Sequence, residues 1–203
     1  MLDTLLGVGV TLITLFVNAL IERFKSRFEM QQKEYQSKRE HLTEVYKELI
    51  AIVNLYPCSS PNDILSQFEG APNYLMESFD AILKTLDYQI EEEKKQLNSQ
   101  KQKQGINEEI SNKEFAKEEI AKVRDEYYIA KEKYALFCES DKVILDLYAG
   151  QDVRNCLVDF EVTIHNVYIS GRKAGDKYDP VNNEIQKVRR NLVNSMRRDI
   201  GIS

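Results

Sequence analysis

Residues 5–56 read LLGVGVTLITLFVNALIERFKSRFEMQQKEYQSKREHLTEVYKELIAIVNLY, and this stretch decides the fold class. No charge occurs from Leu5 to Ile21, and neither Pro nor Gly follows until Pro57. With no residue to remove a backbone donor or loosen the chain, one helix is expected to run to about Tyr56.

The first part has the signature of a transmembrane span. At 1.5 Å per residue, Leu5 to Ile21 covers about 25 Å against a hydrocarbon core of about 30 Å. Leu2 and the methylene stems of the flanking basic residues supply the difference. A secretory signal peptide would need positive charge before the apolar run and a small-residue cleavage site after it, and neither is present. Asp3 precedes the run, whereas Arg23, Lys25 and Arg27 follow it. That bias predicts a single-pass protein of the inner (cytoplasmic) membrane, amino terminus outside and carboxyl-terminal portion in the cytoplasm. Within the span, Thr4, Gly7, Thr11, Thr14 and Asn18 recur at spacings of three and four, which places them on one helical face. Small and hydrogen-bonding residues mediate helix contacts in lipid, so this seam is expected to meet a second copy or another membrane protein. The competing reading is that Thr and Gly are merely tolerated there, the hydroxyls bonding carbonyls of their own helix.

Residues 1–22 are thus read as an anchor, 23–41 as a charged juxtamembrane stalk and 42–203 as a cytoplasmic helical bundle. The stalk is dense in Glu, Lys, Arg and Gln, with Phe24, Phe28, Met30 and Tyr35 as its few apolar residues. From Leu42 a core stripe begins, comprising Leu42, Val45, Tyr46, Leu49, Ile52, Val53 and Tyr56. Pro57 and the cluster from Ser59 to Asp63 break the helix, Gly70 and Pro72 punctuate again, and a short turn fits around Ile64 to Phe68. A second long helix follows from near Pro72, with Leu75, Phe79, Ile82, Leu83, Leu86 and Ile90 inward. A third follows a turn at Gly105, beginning near Asn107, with Ile120, Val123, Tyr127, Ala130, Tyr134 and Phe137. These two pair antiparallel, and residues 91–119 are expected to project as a charged coiled-coil tip or to fray. Ser140 and Asp141 are expected to cap a short helical stretch through Val143, Ile144, Leu147 and Tyr148, which the Ala149-Gly150 pair ends. The next helix is the most apolar, with Val153, Cys156, Leu157, Phe160, Ile164, Val167 and Tyr168, and Gly171 and Gly175 mark its exit. The last is expected to be capped by Asp179 with Pro180 at its first position, to bury Val181, Ile185, Val188, Leu192 and Met196, and to end at Gly201. No period-two alternation competes, so the predicted class is all-α, an antiparallel bundle of four to five helices.

Composition narrows the function classes. A net charge of −5 argues against a nucleic-acid coat, and no nucleic-acid partner is expected. Cys58, Cys138 and Cys156 are odd in number and widely spaced, as free thiols of a reducing compartment would be. No phosphate loop, nucleophile elbow, HExxH or metal-type cysteine pair is present, so neither cofactor, metal nor catalytic residue is assigned. His165, with Glu161 four residues before it, is the better of two histidines, yet a lone pair is no acid–base site. The Arg-x4-6-His signature of HEPN ribonucleases is absent, since Arg154 lies too far before His165 and His41 has only Arg39. One basic patch stands out on the last helix, formed by Lys187, Arg189, Arg190, Arg197 and Arg198. Anionic lipid headgroups, an acidic partner or a nucleotide would suit it, and complementing the helix dipole is the plainer alternative.

The plan of one amino-terminal span, a basic juxtamembrane stretch, a helical cytoplasmic region and a closing helix Asn191-Leu192-Val193-Asn194-Ser195-Met196-Arg197-Arg198-Asp199-Ile200-Gly201 resembles a loose group of small bacterial membrane proteins. Some of these accompany phage-defence or prophage systems, and the resemblance implies a role as a membrane effector. The expected function is a non-enzymatic, membrane-anchored interaction protein docking a cytoplasmic protein, its anchor touching lipid and a second copy or another membrane protein. The alternative is a homo-oligomeric effector that perturbs the bilayer or forms a pore.

Overall fold

The computed structural model describes the backbone of residues 2–68, 79–99 and 104–202, and their side chains except those of 2–17, 19, 98, 99 and 104. Every regular element among the described residues is an α-helix, so the chain is all-α. The helices are α1 (Leu2–Leu55), α2 (Pro61–Leu65), α3 (Phe79–Ser99), α4 (Gln104–Ser140), α5 (Lys142–Tyr148), α6 (Gln151–Tyr168) and α7 (Glu184–Asp199). The chain divides into two units, Met1–Glu44 and Val45–Ser203.

The first unit is the greater part of α1. Its residues from Leu20 to His41 are exposed, Phe24, Phe28, Met30 and Tyr35 included. Among the described residues no helix is long and apolar enough to cross a membrane. Most of the expected span, and the side chains of Thr4, Gly7, Thr11 and Thr14, lie outside the described residues, while Asn18 is exposed.

In the second unit the remainder of α1 buries Val45, Tyr46, Leu49, Ile52, Val53 and Tyr56, the spacing expected of one helix face. Complete burial of a side chain such as Leu49 or Val53 contributes about 1.5–3 kcal/mol, which is why this half of the helix is fixed by packing. The short turn expected around Ile64 to Phe68 forms earlier, as α2 at Pro61–Leu65, within the cluster expected to break the helix. Ser60 caps α2, its Oγ accepting from the Asp63 amide at 3.0 Å while the Ser60 amide donates to Asp63 Oδ2 at 2.8 Å. This reciprocal box satisfies two donors that a five-residue helix would otherwise leave open.

Helices α3 and α4 form an antiparallel hairpin. Ion pairs cross it along its length, Arg124 to Asp80, Lys117 to Asp87, Lys113 to Glu93 and Lys94 to Glu114. The expected stripe is buried from Phe79 to Ile90 and from Ile120 to Phe137, Tyr134 being half-buried. Leu75 lies outside the described residues. The region expected to fray is helical up to Ser99 and again from Gln104, with Ile110 and Ala116 buried inside it. Opposed charges across the hairpin and these two apolar residues hold what looked polar on every side.

Two expectations near the carboxyl end are corrected. In α5 Asp141 occupies the cap position without a side-chain cap bond, and it is Leu145 that is buried, whereas Val143, Leu147 and Tyr148 are exposed. Seven residues make only two turns, too few for spacing alone to define a face. Helix α7 starts at Glu184, capped by Asn183, whose Oδ1 accepts from the Gln186 amide at 3.0 Å. Asp179 instead closes a separate turn, accepting from the amides of Val181 and Asn182, and Val181 is exposed. Asp followed by Pro imitates a helix start because both the Asx turn and the cap use a carboxylate that accepts amides two and three positions on. Ile185, Leu192 and Met196 are buried as expected, and α6 packs along α7 with Val153, Leu157, Phe160, Ile164, Val167 and Tyr168 inward.

Candidate docking face

The inward stripe of α4 determines what its other side presents. Tyr127, Ala130 and Phe137 are buried, so Ile129 and Leu136, seven apart and on a common face, turn to water. Burial of Leu145 has the same consequence for α5, whose Val143 and Leu147 are 59% and 69% exposed. Ile129 and Leu136 of α4 and Val143 and Leu147 of α5 are thus exposed, and the first three are each followed three positions later by an exposed acid, Glu132, Glu139 and Asp146. Residues three apart are neighbours on a helix, so within each helix an acid stands beside these apolar side chains. Isolated exposed apolar side chains are ordinary; here four of them lie on two successive helices, each of the first three with an acid beside it.

The junction of α4 and α5 is held by a polar knot against α6. The Tyr134 hydroxyl donates to Glu161, and Lys142 Nζ reaches the same carboxylate oxygen at 3.3 Å. Burial, and then the Glu161 carboxylate, push the Tyr134 phenol far above its ordinary range. For Lys142 burial works against the charge, but Glu161 outweighs it and the ammonium is held more tightly. Glu161, singled out as a partner for His165, is thus occupied elsewhere. His165 and His41 are exposed.

A second network, opposite in chain order, pins the loop between α6 and α7. The carboxylate of Asp63 accepts from the amides of Ala174 at 2.9 Å and Gly175 at 3.1 Å besides that of Ser60. Gly175 has φ +95°, a conformation that favours glycine. Asn183 Nδ2 donates to the carbonyls of Cys58 at 2.8 Å and Gly175 at 3.0 Å, and the Tyr168 hydroxyl donates to Pro57 O at 2.6 Å. Beside this clasp lies a cleft of about 770 Å³ edged by Phe115, Glu119, Lys122 and Lys177. Lys122 is committed to Glu119 at 2.7 Å, a contact that lowers the Glu119 carboxyl below its usual value. Acids and bases alternate around the rim, so the cleft has no single-sign field to select an anion or a cation.

The basic residues of α7 do not act as one group. Lys187, Arg190, Arg197 and Arg198 are exposed, whereas Arg189 turns inward, its Nη2 donating to Tyr56 O at 2.6 Å and its Nη1 lying 3.5 Å from Cys58 Sγ. Arg23, Lys25 and Arg27 are exposed on α1. Cys58, Cys138 and Cys156 are free thiols, and among the described residues no group of His, Cys, Asp and Glu is arranged to hold a metal ion. The exposure of Val143 and Leu147 does not follow from their place in a short helical stretch, and only the recurrence of Glu132, Glu139 and Asp146 at seven-residue intervals signals it in the sequence. No family model matches this chain, and neither a curated protein nor a solved structure matches it.

Proposed function

We propose that this protein is a non-enzymatic docking module tethered to the inner membrane. In this reading residues 5–21 form the single span, the exposed Arg23, Lys25 and Arg27 hold its cytoplasmic boundary, and the second unit is an antiparallel bundle of long helices presented to the cytoplasm. The observation that carries the docking role is the exposure of Ile129 and Leu136 on α4 and of Val143 and Leu147 on α5, with Glu132, Glu139 and Asp146 three positions after the first three. The complement of these side chains is a protein helix with apolar residues at seven-residue spacing and Lys or Arg on the flank, which buries them and neutralises the acids.

The test is purification of the tagged full-length chain from detergent-solubilised membranes, with quantitative mass spectrometry of what accompanies it. A protein recovered in stoichiometric amount with the wild type, and lost from a Leu136→Lys, Val143→Lys variant of unchanged helix content, is the expected result. Equal recovery with both chains, or repeated recovery of the chain alone, overturns the reading.

A further inference from the structure

The buried stripe of α1 follows a heptad. Leu42, Leu49 and Tyr56 stand at one position of the repeat, and Val45 and Ile52 at the position three further on. All five are buried. Carried backward without a break, the same register falls on Ile21, Phe28 and Tyr35 at the first position and on Phe24 at the second. These four are 57%, 60%, 60% and 69% exposed. The other exposed large apolar residues of this stretch are Leu20, which borders the seam, and Met30, which does not. Gly7 and Thr14 of the anchor fall on the first position too, while Thr4, Thr11 and Asn18 fall on the fifth, beside it.

We propose that the seam of α1 from Ile21 to Lys38 is covered by the same segment of a second copy, in a parallel, in-register coiled coil. The occupant follows from two features. First, the seam continues the repeat that α1 already uses for buried packing, and it does so over about two and a half heptads with apolar side chains at Ile21, Phe24, Phe28 and Tyr35, which is coiled-coil patterning and not a scatter of surface residues. Second, the charges beside it suit a parallel copy. In such a pair each residue just before a first position faces the residue five places later in its partner. Glu34 then meets Arg39 of the other chain twice by symmetry, and Arg27 meets the neutral Gln32, so the flanking positions bring no like charges together. Gln31 and Lys38 at the second position cost stability, Lys38 the more because it meets its own copy, but Gln31 also disfavours a one-heptad slip, which would set it against Phe24. The coil is accordingly weak alone, and confinement of both chains to one surface raises its occupancy.

The inference stands apart from the docking role, since it concerns α1 only. It is tested on the full-length chain in detergent with Cys58, Cys138 and Cys156 replaced by Ser and one new thiol introduced. Gln31→Cys puts the thiol in the seam, and Lys33→Cys puts it on the outer side two residues on. Under mild oxidation, Gln31→Cys is expected to become mainly a covalent dimer of twice the 23.6 kDa chain mass, and Lys33→Cys to remain monomeric. Absence of dimer from Gln31→Cys, or dimer of equal yield from both, overturns the proposal. In parallel, sedimentation of the otherwise unaltered protein should report a dimer that Phe28→Glu with Tyr35→Glu converts to monomer. Because both residues are exposed, helix content should not change. A monomeric wild type, or a variant still dimeric, also contradicts the seam.

Discussion

The side-chain amide of Asn183 donates to the carbonyl of Cys58 at 2.8 Å, joining two positions 125 residues apart. The same side chain caps α7 through its oxygen. One residue therefore starts the last helix and fixes it against the end of α1. Asn183→Ala removes both roles and leaves the Cys58 carbonyl without this donor, a loss of about 2–4 kcal/mol. Asn183→Asp keeps a cap acceptor but no amide donor, and should fall between the two. Urea unfolding monitored by circular dichroism checks the order, and an alanine variant as stable as wild type would contradict it.

Arg189 and Arg190 are adjacent but differ in what they do. Arg189→Ala loses the bond to Tyr56 O and should destabilise by about 1–3 kcal/mol, whereas Arg190→Ala should stay within about 0.5 kcal/mol. Thermal denaturation of the two variants side by side decides the matter. Equal effects would return Arg189 to the surface patch.

The single buried place in α5 makes an equally sharp contrast. Leu145→Ala should cost about 2–5 kcal/mol through the cavity it leaves, and Val143→Ala should cost almost nothing. A larger loss at Val143, measured by the same unfolding titration, would contradict this assignment.

Alkaline pH provides a test of the packed phenols. Burial is the main cause that raises the pKa of Tyr46, Tyr56, Tyr127, Tyr134 and Tyr168, with Asp199 adding to it at Tyr46 and Glu161 at Tyr134. A phenol whose folded pKa is raised favours the fold fully below its unfolded value near 10 and loses that contribution as pH rises through its folded value. At about pH 11 the native protein should therefore show far fewer tyrosinates than its 11 tyrosines in the near-ultraviolet, and the urea-unfolded chain should show about nine-tenths of them ionised. Ionisation equal to that of the unfolded chain, with helix content intact, would contradict the burial of these rings.

Much of the fold was legible because α1, α3, α4 and α6 are long enough for spacing to separate an inner from an outer face. Tyr127 and Phe160, for example, are buried where their stripes put them. What was not legible depended on partners distant in sequence. Asp63 looked like part of a helix breaker, yet its carboxylate meets backbone amides 111 and 112 positions away, and no local pattern encodes that. The Ser-Pro-Asn-Asp run from Ser60 to Asp63 carries a capping-box spacing that the structure uses. Arg189 looked solvated because its helix is rich in cations, and only the approach of the Tyr56 carbonyl turns it inward. The docking face was hidden for a related reason: Leu145 takes the single buried place in α5 and displaces Val143 and Leu147 to the surface.

The docking claim is tested most directly by site-specific photocrosslinking in living cells, with benzoylphenylalanine placed at Leu136 in the full-length chain and, as a control, at Tyr178, which is 81% exposed outside this face. The account predicts one discrete adduct from position 136, larger than the chain by the mass of a different protein, and none from 178. No adduct at 136, the same adducts at both positions, or an adduct at 136 consisting of two copies of this chain would contradict it.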